Sequence, residues 1–589
     1  MDSFRFGIVD YVVFLGTTIL SIGIGVYYGW IKKTKRNTET CTPSAPSGIK
    51  SKRDLGSEKM NEYLMGSRNL KVLPVAMSLI ASYISGVSIL GTPSEIYNYG
   101  TQYCLIVIPI IVHGLIVSYV YLPVYSTLQV GSSFEYLEMR FHSSIRSIAS
   151  IIFVSNVALY LPFLVYLPAL ALNQVSGLDM YLIEVLIIVV CVIYTILGGL
   201  KAVVHTDVWQ VLIMFISVVV VAILATCYIE DFEAFWQGLE QGGRLIIANI
   251  SPSPYDRQTV WSVLIGGLFY WTSTNAISPT MVHRYMSLPS LNKARAAIGI
   301  FSVGSALFII ILCFLGVLIF HTFHDCDPLS AGMILDDDQL MPLFVIKVAG
   351  HIYGMPGLFI AGIFGAGLSS LSVYFNSTSL VFLEDIVRGC FKMQPGERAS
   401  TILVKSSIVV LGVLAFALIF LLEQASGVLS IWTSVAAIAS GATFGIFTLG
   451  MLVPWANTIG TAVGAIAGFL LSGWITFGMQ ITAAAGQLNS QKLPVSVQGC
   501  TGNVTLPESI WKDEDQVFPL YRLSYLWVTP IGVLTSIVVG SLVSLVTKPT
   551  DMKSVNPDLI SPVIHRFLPK DCFKRFNNAE GRADLDNRI

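Results

Sequence analysis

Charge is scarce in this chain. Asp, Glu, Lys and Arg make up 12% of its 589 residues, where an ordinary soluble domain carries about 25%, so most of its length cannot face water. Enzyme signatures are missing too. There is no GxSxG nucleophile elbow, no P-loop and no GxGxxG after a strand, which removes the common hydrolase, nucleotidase and dinucleotide classes. The eight His are dispersed, with His205, His283 and His351 near the ends of apolar runs and His321 and His324 in a loop. That spacing excludes the clustered ligands of a catalytic zinc. Nine Cys are scattered with no CxxC, so no dithiol redox site or metal knuckle is encoded. No enzyme activity and no nucleic-acid partner are expected.

What the chain has is apolar length. It is 54% hydrophobic with a mean hydropathy of +0.70, and a span needs about 20 mainly apolar residues to cross a bilayer. Thirteen segments qualify: Ile8–Trp30, Pro74–Tyr97, Gln102–Tyr125, Ser147–Leu172, Met180–Leu197, Ala202–Cys227, Val260–Met281, Ala297–Phe320, Pro356–Val387, Ile402–Leu422, Val428–Val453, Thr458–Gly478 and Leu523–Val546. The fold class expected is an all-α polytopic membrane protein. The first run is too long for a signal-peptide core and has no basic segment before it, so residues 1–31 read as a retained leading helix. Residues 32–71, rich in Lys, Arg, Ser, Thr and Pro, read as a cytoplasmic linker.

The basic residues set the orientation. With the amino terminus outside, 28 of the 35 Lys and Arg fall in inner segments, so the positive-inside rule places the amino terminus outside and the carboxyl terminus in the cytoplasm. Sequons at Asn249 and Asn503 then fall in outer loops 228–259 and 479–522 and are candidate glycosylation sites. Asn376 heads a third sequon, inside a span. Cys326 and Cys500 lie in loops on the same outer side, where a disulfide between them is one option. Residues 548–589 read as a cytoplasmic tail. Gly460, Gly464 and Gly468, four apart, read as a close helix-packing face.

The run at Pro74–Tyr97, PVAMSLIASYISGVSILGTPSEIY, carries Ser78, Ser82, Ser85, Ser88, Gly86, Gly91 and Pro93 where a lipid-facing helix would carry Leu and Ile. It reads either as a helix built to break around a binding site or as a small-residue packing face. In Gly357–Asp385, Ser369 and Ser370 follow Ala366 by one turn and share a face with it. Their hydroxyls and a freed carbonyl offer hard oxygen ligands for sodium, although Ser in membrane helices also bonds back to its own helix. Asp207, with Gln210 one turn on, is an intramembrane charge and so a candidate for ion path or gating. It lies near an inner helix end, where pairing with Lys201 or wetting by water would also satisfy it.

YTILGGLKAVVHTDVWQ resembles the hallmark of the sodium:solute symporter family, as do EYLMGSRNL with SLIASYISGVSILG, FEYLEMRF, LPALALNQVSGLD, and GLSSLSVYFNS with LEDI. The resemblance spans about Asn61 to Trp455 and is strongest to the branch of multivitamin, monocarboxylate and iodide transporters. It implies a LeuT-like fold of two inverted five-helix repeats, at 72–227 and 260–453, with two additional helices in 454–547 and a second broken helix at Val260–Met281. It also implies a sodium site made by the carbonyls of Ala81, Ile84 and Ala366 and the hydroxyls of Ser369 and Ser370, with sodium as co-transported ion. The substrate cavity expected is Ser85, Ser88, Gln102, Tyr103, Trp271 and Ser273. The family commonly has an Asn-Gln pair ahead of Gln-Arg-Tyr where this chain has Ser278-Pro279 and His283-Arg284-Tyr285. The implied function is plasma-membrane sodium symport of a small organic anion, a monocarboxylate or a carboxylate vitamin. The alternatives are a transporter-shaped solute sensor and a symporter of iodide or a neutral solute.

Overall fold

In hydrocarbon a backbone must satisfy its own hydrogen bonds, and the apolar runs do so as helices. A computed structural model describes residues 6–27, 70–422, 428–488, 491–500 and 516–571. Nearly all of the 32–71 linker, the Asn503 sequon and the end of the tail lie outside the described residues. Within them, eleven helices are long and apolar enough to cross a membrane, and one bent pair makes twelve.

In chain order these are α1 (Ile8–Val26), the bent pair α2 (Val72–Tyr83) and α3 (Gly86–Tyr99), α4 (Thr101–Leu128), α5 (Ser143–Ser176) and α6 (Met180–Cys227). Two short helices follow, α7 (Gly267–Ala276) and α8 (Pro279–Met286). The chain continues with α9 (Leu291–Phe323), α10 (Met355–Val381), α11 (Glu397–Leu422), α12 (Val428–Leu452), α13 (Thr458–Ala484) and α14 (Val528–Val546). The run expected as one span at Val260–Met281 is present in pieces. It holds a π-helical turn at Ser262–Gly266, then α7, then α8.

The helix α6 is continuous in backbone but holds two apolar stretches, Met180–Leu197 and Val203–Cys227. A straight helix of that length would run about 72 Å, more than twice the hydrocarbon thickness, so the two stretches count as separate crossings.

Both breaks follow from local chemistry. Between α2 and α3 the chain bends by 59°, with Ile84 and Ser85 in extended backbone where Ser-Gly gives poor helix propensity. Between α7 and α8, Pro279 occupies the first turn of α8, and Ser278 before it has ψ 127°, the extended conformation that a following proline imposes. Small residues then bring neighbours onto the first break. A Cβ on Gly367 of α10 would lie 2.5 Å from Pro168 of α5, and one on Gly304 of α9 would lie 2.6 Å from Ile80 of α2. At the far end of α10, Asp10 of α1 accepts the amides of Gly354 and Gly357 at 3.0 and 3.3 Å, a carboxylate at a helix N-terminus.

Candidate binding site at the two helix breaks

A helix end leaves its last carbonyls without intrahelical partners, and α2 ends inside the protein. Ser369 and Ser370 of α10 face those orphan carbonyls. Ser369 Oγ donates to Ala81 O at 2.8 Å and lies 3.0 Å from Ala366 O of its own helix. Ser370 Oγ lies 3.3 Å from Ala81 O and 3.4 Å from Ser82 O. Ser369 Oγ thus lies within reach both of its own helix and of the break. Ile84 is extended, and the first amides of α3, Ser88 and Ile89, donate to Ser85 O, so the Ile84 carbonyl lies outside both helical ladders. Ala81, Ala366, Ser369 and Ser370 are 0–1% exposed. The result is a buried cluster of carbonyl and hydroxyl oxygens, the type of donor that hard cations take.

Beside it opens a cavity of about 1130 Å³, counting its open mouth. Ser85, Ser88 and Thr92 line it from one face of the start of α3, and Tyr103, Trp271 and Ser273 line it from α4 and α7. Ser85 makes no side-chain cap bond, so its hydroxyl remains available to the cavity. Ser273 Oγ donates to Tyr270 O at 2.9 Å. Gln102 departs from its expected place: it is not a lining residue, and its Oε1 instead accepts the Asn249 amide at 2.6 Å. Two aromatic stacks form walls, Tyr83 on Trp271 with ring centres 3.9 Å apart and Tyr160 on Trp432 at 4.2 Å. Trp432 Nε1 donates to Tyr270 Oη at 3.1 Å and joins α12 to α7. Among the described residues, no Asp, Glu, Lys, Arg or His lines the cavity.

A backbone broken twice beside a cluster of hard oxygens offers polar groups that a solute and a cation can use, and the chain is similar to known proteins. The pattern of the sodium:solute symporter family matches residues 63–468, well over half the chain. The chain belongs to the sodium:solute symporter family. It is 35% identical over 556 residues to the human sodium-coupled monocarboxylate transporter 1, covering 91% of this chain and 87% of that one. It is 32% identical over 575 residues to the sodium-dependent multivitamin transporter of Oryctolagus cuniculus, covering 96% and 86%. Among solved structures, the substrate-bound outward-open state of a Na+-coupled sialic acid symporter superposes with a TM-score of 0.70 at 22% identity, covering 92% of this chain and 99% of that one. That likeness is one of fold, and the fold is the LeuT-like all-helical one expected. The protein is thus a sodium-coupled solute transporter, and its relatives are transporters and not enzymes.

In this symporter the charge at Asp207 has a partner that sequence spacing did not reveal. Asp207 is wholly buried; Ser78 Oγ of α2 donates to its Oδ2 at 2.5 Å, and Arg284 Nη2 of α8 lies 3.4 Å away. Arg284 also donates to Ser78 Oγ and Thr280 O, each at 2.8 Å. These contacts all fall on Oδ2, and Asp207 Oδ1 has no partner among the described residues. Arg284 is 1% exposed. One hydroxyl thus ties α2, α6 and α8 together. Gln210 is buried against Gly365 of α10, with its Oε1 unpaired among the described residues.

Other residues singled out in the sequence lie farther off. Asn249 is half-buried, its Nδ2 donating to Gln258 O at 3.2 Å. Cys326 and Cys500 are joined by a disulfide. Lining residues that the sequence reading passed over are Tyr83, Asn156, Tyr160, Tyr270 and Trp432. Of these only Asn156, a carboxamide inside an apolar run, carried a signal of its own.

Proposed function

We propose that this symporter imports a small organic anion, a monocarboxylate or a carboxylate vitamin such as biotin or pantothenate, together with sodium, by alternating access across the plasma membrane. In this reading the amino terminus is outside and the carboxyl terminus in the cytoplasm. The observation that carries it is the meeting of the Ser369 and Ser370 hydroxyls with the orphan carbonyls of α2, beside a cavity with no charged lining residue among the described residues.

Sodium takes the oxygens of Ala81, Ile84, Ala366, Ser369 and Ser370. The hydroxyl hydrogens that now point at Ala81 O turn away, and the cation replaces them as the link between α2 and α10. The substrate carboxylate is held without a Lys or Arg. The amide end of α3 near Ser85–Ser88 is the positive pole of a helix, a setting used for substrate carboxylates at broken membrane helices, and the Ser85, Ser88 and Thr92 hydroxyls add donors. Sodium couples to transport only as far as it binds one state better than the other. A link between α2 and α10 present only with the ion supplies that difference. The Ser78–Asp207–Arg284 cluster holds α8 against α2 and α6, and is the element that must rearrange when the inner side opens. The names of the relatives support an anion as cargo.

The test is uptake in a heterologous cell of labelled biotin, pantothenate, lactate and iodide, each in sodium and in choline. Sodium-dependent accumulation of one or more of the acids supports the reading. Accumulation of iodide alone, or of none with the protein at the cell surface, refutes the organic-anion cargo.

A further inference from the structure

Two residues lining the cavity hold buried polar atoms without a hydrogen-bond partner among the described residues, Tyr83 through its hydroxyl and Asn156 through Oδ1. The two are not equivalent. A phenol both donates and accepts, so Tyr83 can serve any polar group that arrives. A carboxamide oxygen only accepts, so a substrate group that satisfies Asn156 Oδ1 must bring an N–H or O–H. A carboxylate cannot, and neither can an alkyl chain. Leaving a buried acceptor unpaired is costly, a cost that a matching substrate removes and a non-matching one does not.

Position adds a length. Asn156 lies on α5, and the same helix passes the break eleven residues later, where Leu167 stands 3.5 Å from the Cβ position of Gly86. Eleven residues span about 16 Å of helix. The Asn side chain and a hydrogen bond at each end take up roughly 6–8 Å of this, which leaves about 8–10 Å for the molecule between. Tyr160, one turn from Asn156, stacks on Trp432 along the interval and offers it an apolar wall.

We infer that Asn156 is a specificity-determining residue that accepts a hydrogen bond from an amide, ureido or hydroxyl donor at the far end of an elongated carboxylate, whose acid group sits at the start of α3. The inference rests on the organic-anion reading above. It separates the two classes of acid left open there, because a three-carbon acid cannot reach both ends.

The experiment measures sodium-dependent uptake of labelled biotin, pantothenate and octanoate in cells expressing the wild type, Asn156→Leu and Asn156→Ser at matched surface levels. Octanoate has the length without the donor. The expected KM for biotin or pantothenate in the wild type is at least about tenfold below that for octanoate. Asn156→Leu raises it about tenfold, with the octanoate KM and the half-saturating sodium unchanged. Asn156→Ser, which keeps an acceptor, retains the preference to within about threefold. Should Asn156→Leu stay inside the cell, Asn156→Ala replaces it in the same comparison. An unchanged KM ratio in the apolar variant overturns the assignment, as does a wild type that handles octanoate as well as the donor-bearing acids. Wild-type protein that takes up no acid fails the organic-anion reading first, and the Asn156 assignment falls with it.

Discussion

Arg284 and Asp207 are each at most 1% exposed, in a setting where a charge without its partner is strongly destabilising. Removing one member of such a pair costs about 3–5 kcal/mol because the other is left buried and uncompensated. Arg284→Met should therefore lower the Tm of the detergent-purified protein markedly, and Asp207→Asn in the same chain should restore part of the loss. Additive losses in the double variant would show that the two charges are independent. The sequence displayed one half of this pair and hid the other. Asp207 stands out as a charge in an apolar run, but Arg284 is 77 residues away, just past the end of the Val260–Met281 run. Only the break at Ile277–Ser278 turns that segment back into the protein. Likewise Ser369 and Ser370 were legible as hydroxyls on one face, while their partners became orphan carbonyls only because α2 stops at Tyr83.

At the scale of elements, breaks are legible where composition makes them. Ser, Gly and Pro crowd both α2–α3 and α7–α8, and both break. Composition says less about π-helical turns, such as Ser262–Gly266 and Phe382–Cys390, which arise in residues that would fit an ordinary helix. The glycine face of α13 shows in detail what spacing promised. A Cβ on Gly464 would lie 2.5 Å from the Ser536 carbonyl of α14 and 2.9 Å from Gly540 Cα, both backbone atoms that cannot swing aside. Overpacking of this kind costs about 1–3 kcal/mol. Gly464→Ala should lower Tm by several degrees, whereas Gly473→Ala, whose Cβ would meet Ile438 at an ordinary 3.7 Å, should leave it within error. Equal effects of the two would remove the packing argument.

At the scale of the whole molecule, apolar length was enough to reveal an all-helical membrane protein, and the family motifs supplied the order of its helices. Loops were less legible in this way, because many of their contacts are made by backbone or join residues far apart in sequence. Leu493 N reaches Asn98 O at 2.8 Å, Thr101 N reaches Arg244 O at 2.9 Å, and Arg257 forks onto Glu95 at 2.8 and 2.9 Å. These bonds, together with the Cys326–Cys500 disulfide, gather the loops around the Tyr99 end of α3, the end that the proposed orientation places outside the cell. An epitope tag fused before Met1 should then stain in intact cells, and one after Ile589 only after permeabilisation. The reverse pattern would invert the direction of transport argued above.

In the reading proposed above, sodium binds where α10 meets the broken end of α2. The sodium activation curve of solute uptake, compared between wild type and Ser369→Ala at equal surface expression, tests it most directly. Loss of one of five ligand oxygens should raise the half-saturating sodium concentration by about tenfold, or roughly 1.4 kcal/mol, with uptake recovering at high sodium. An unchanged curve in well-expressed variant protein would place the ion elsewhere and contradict the account.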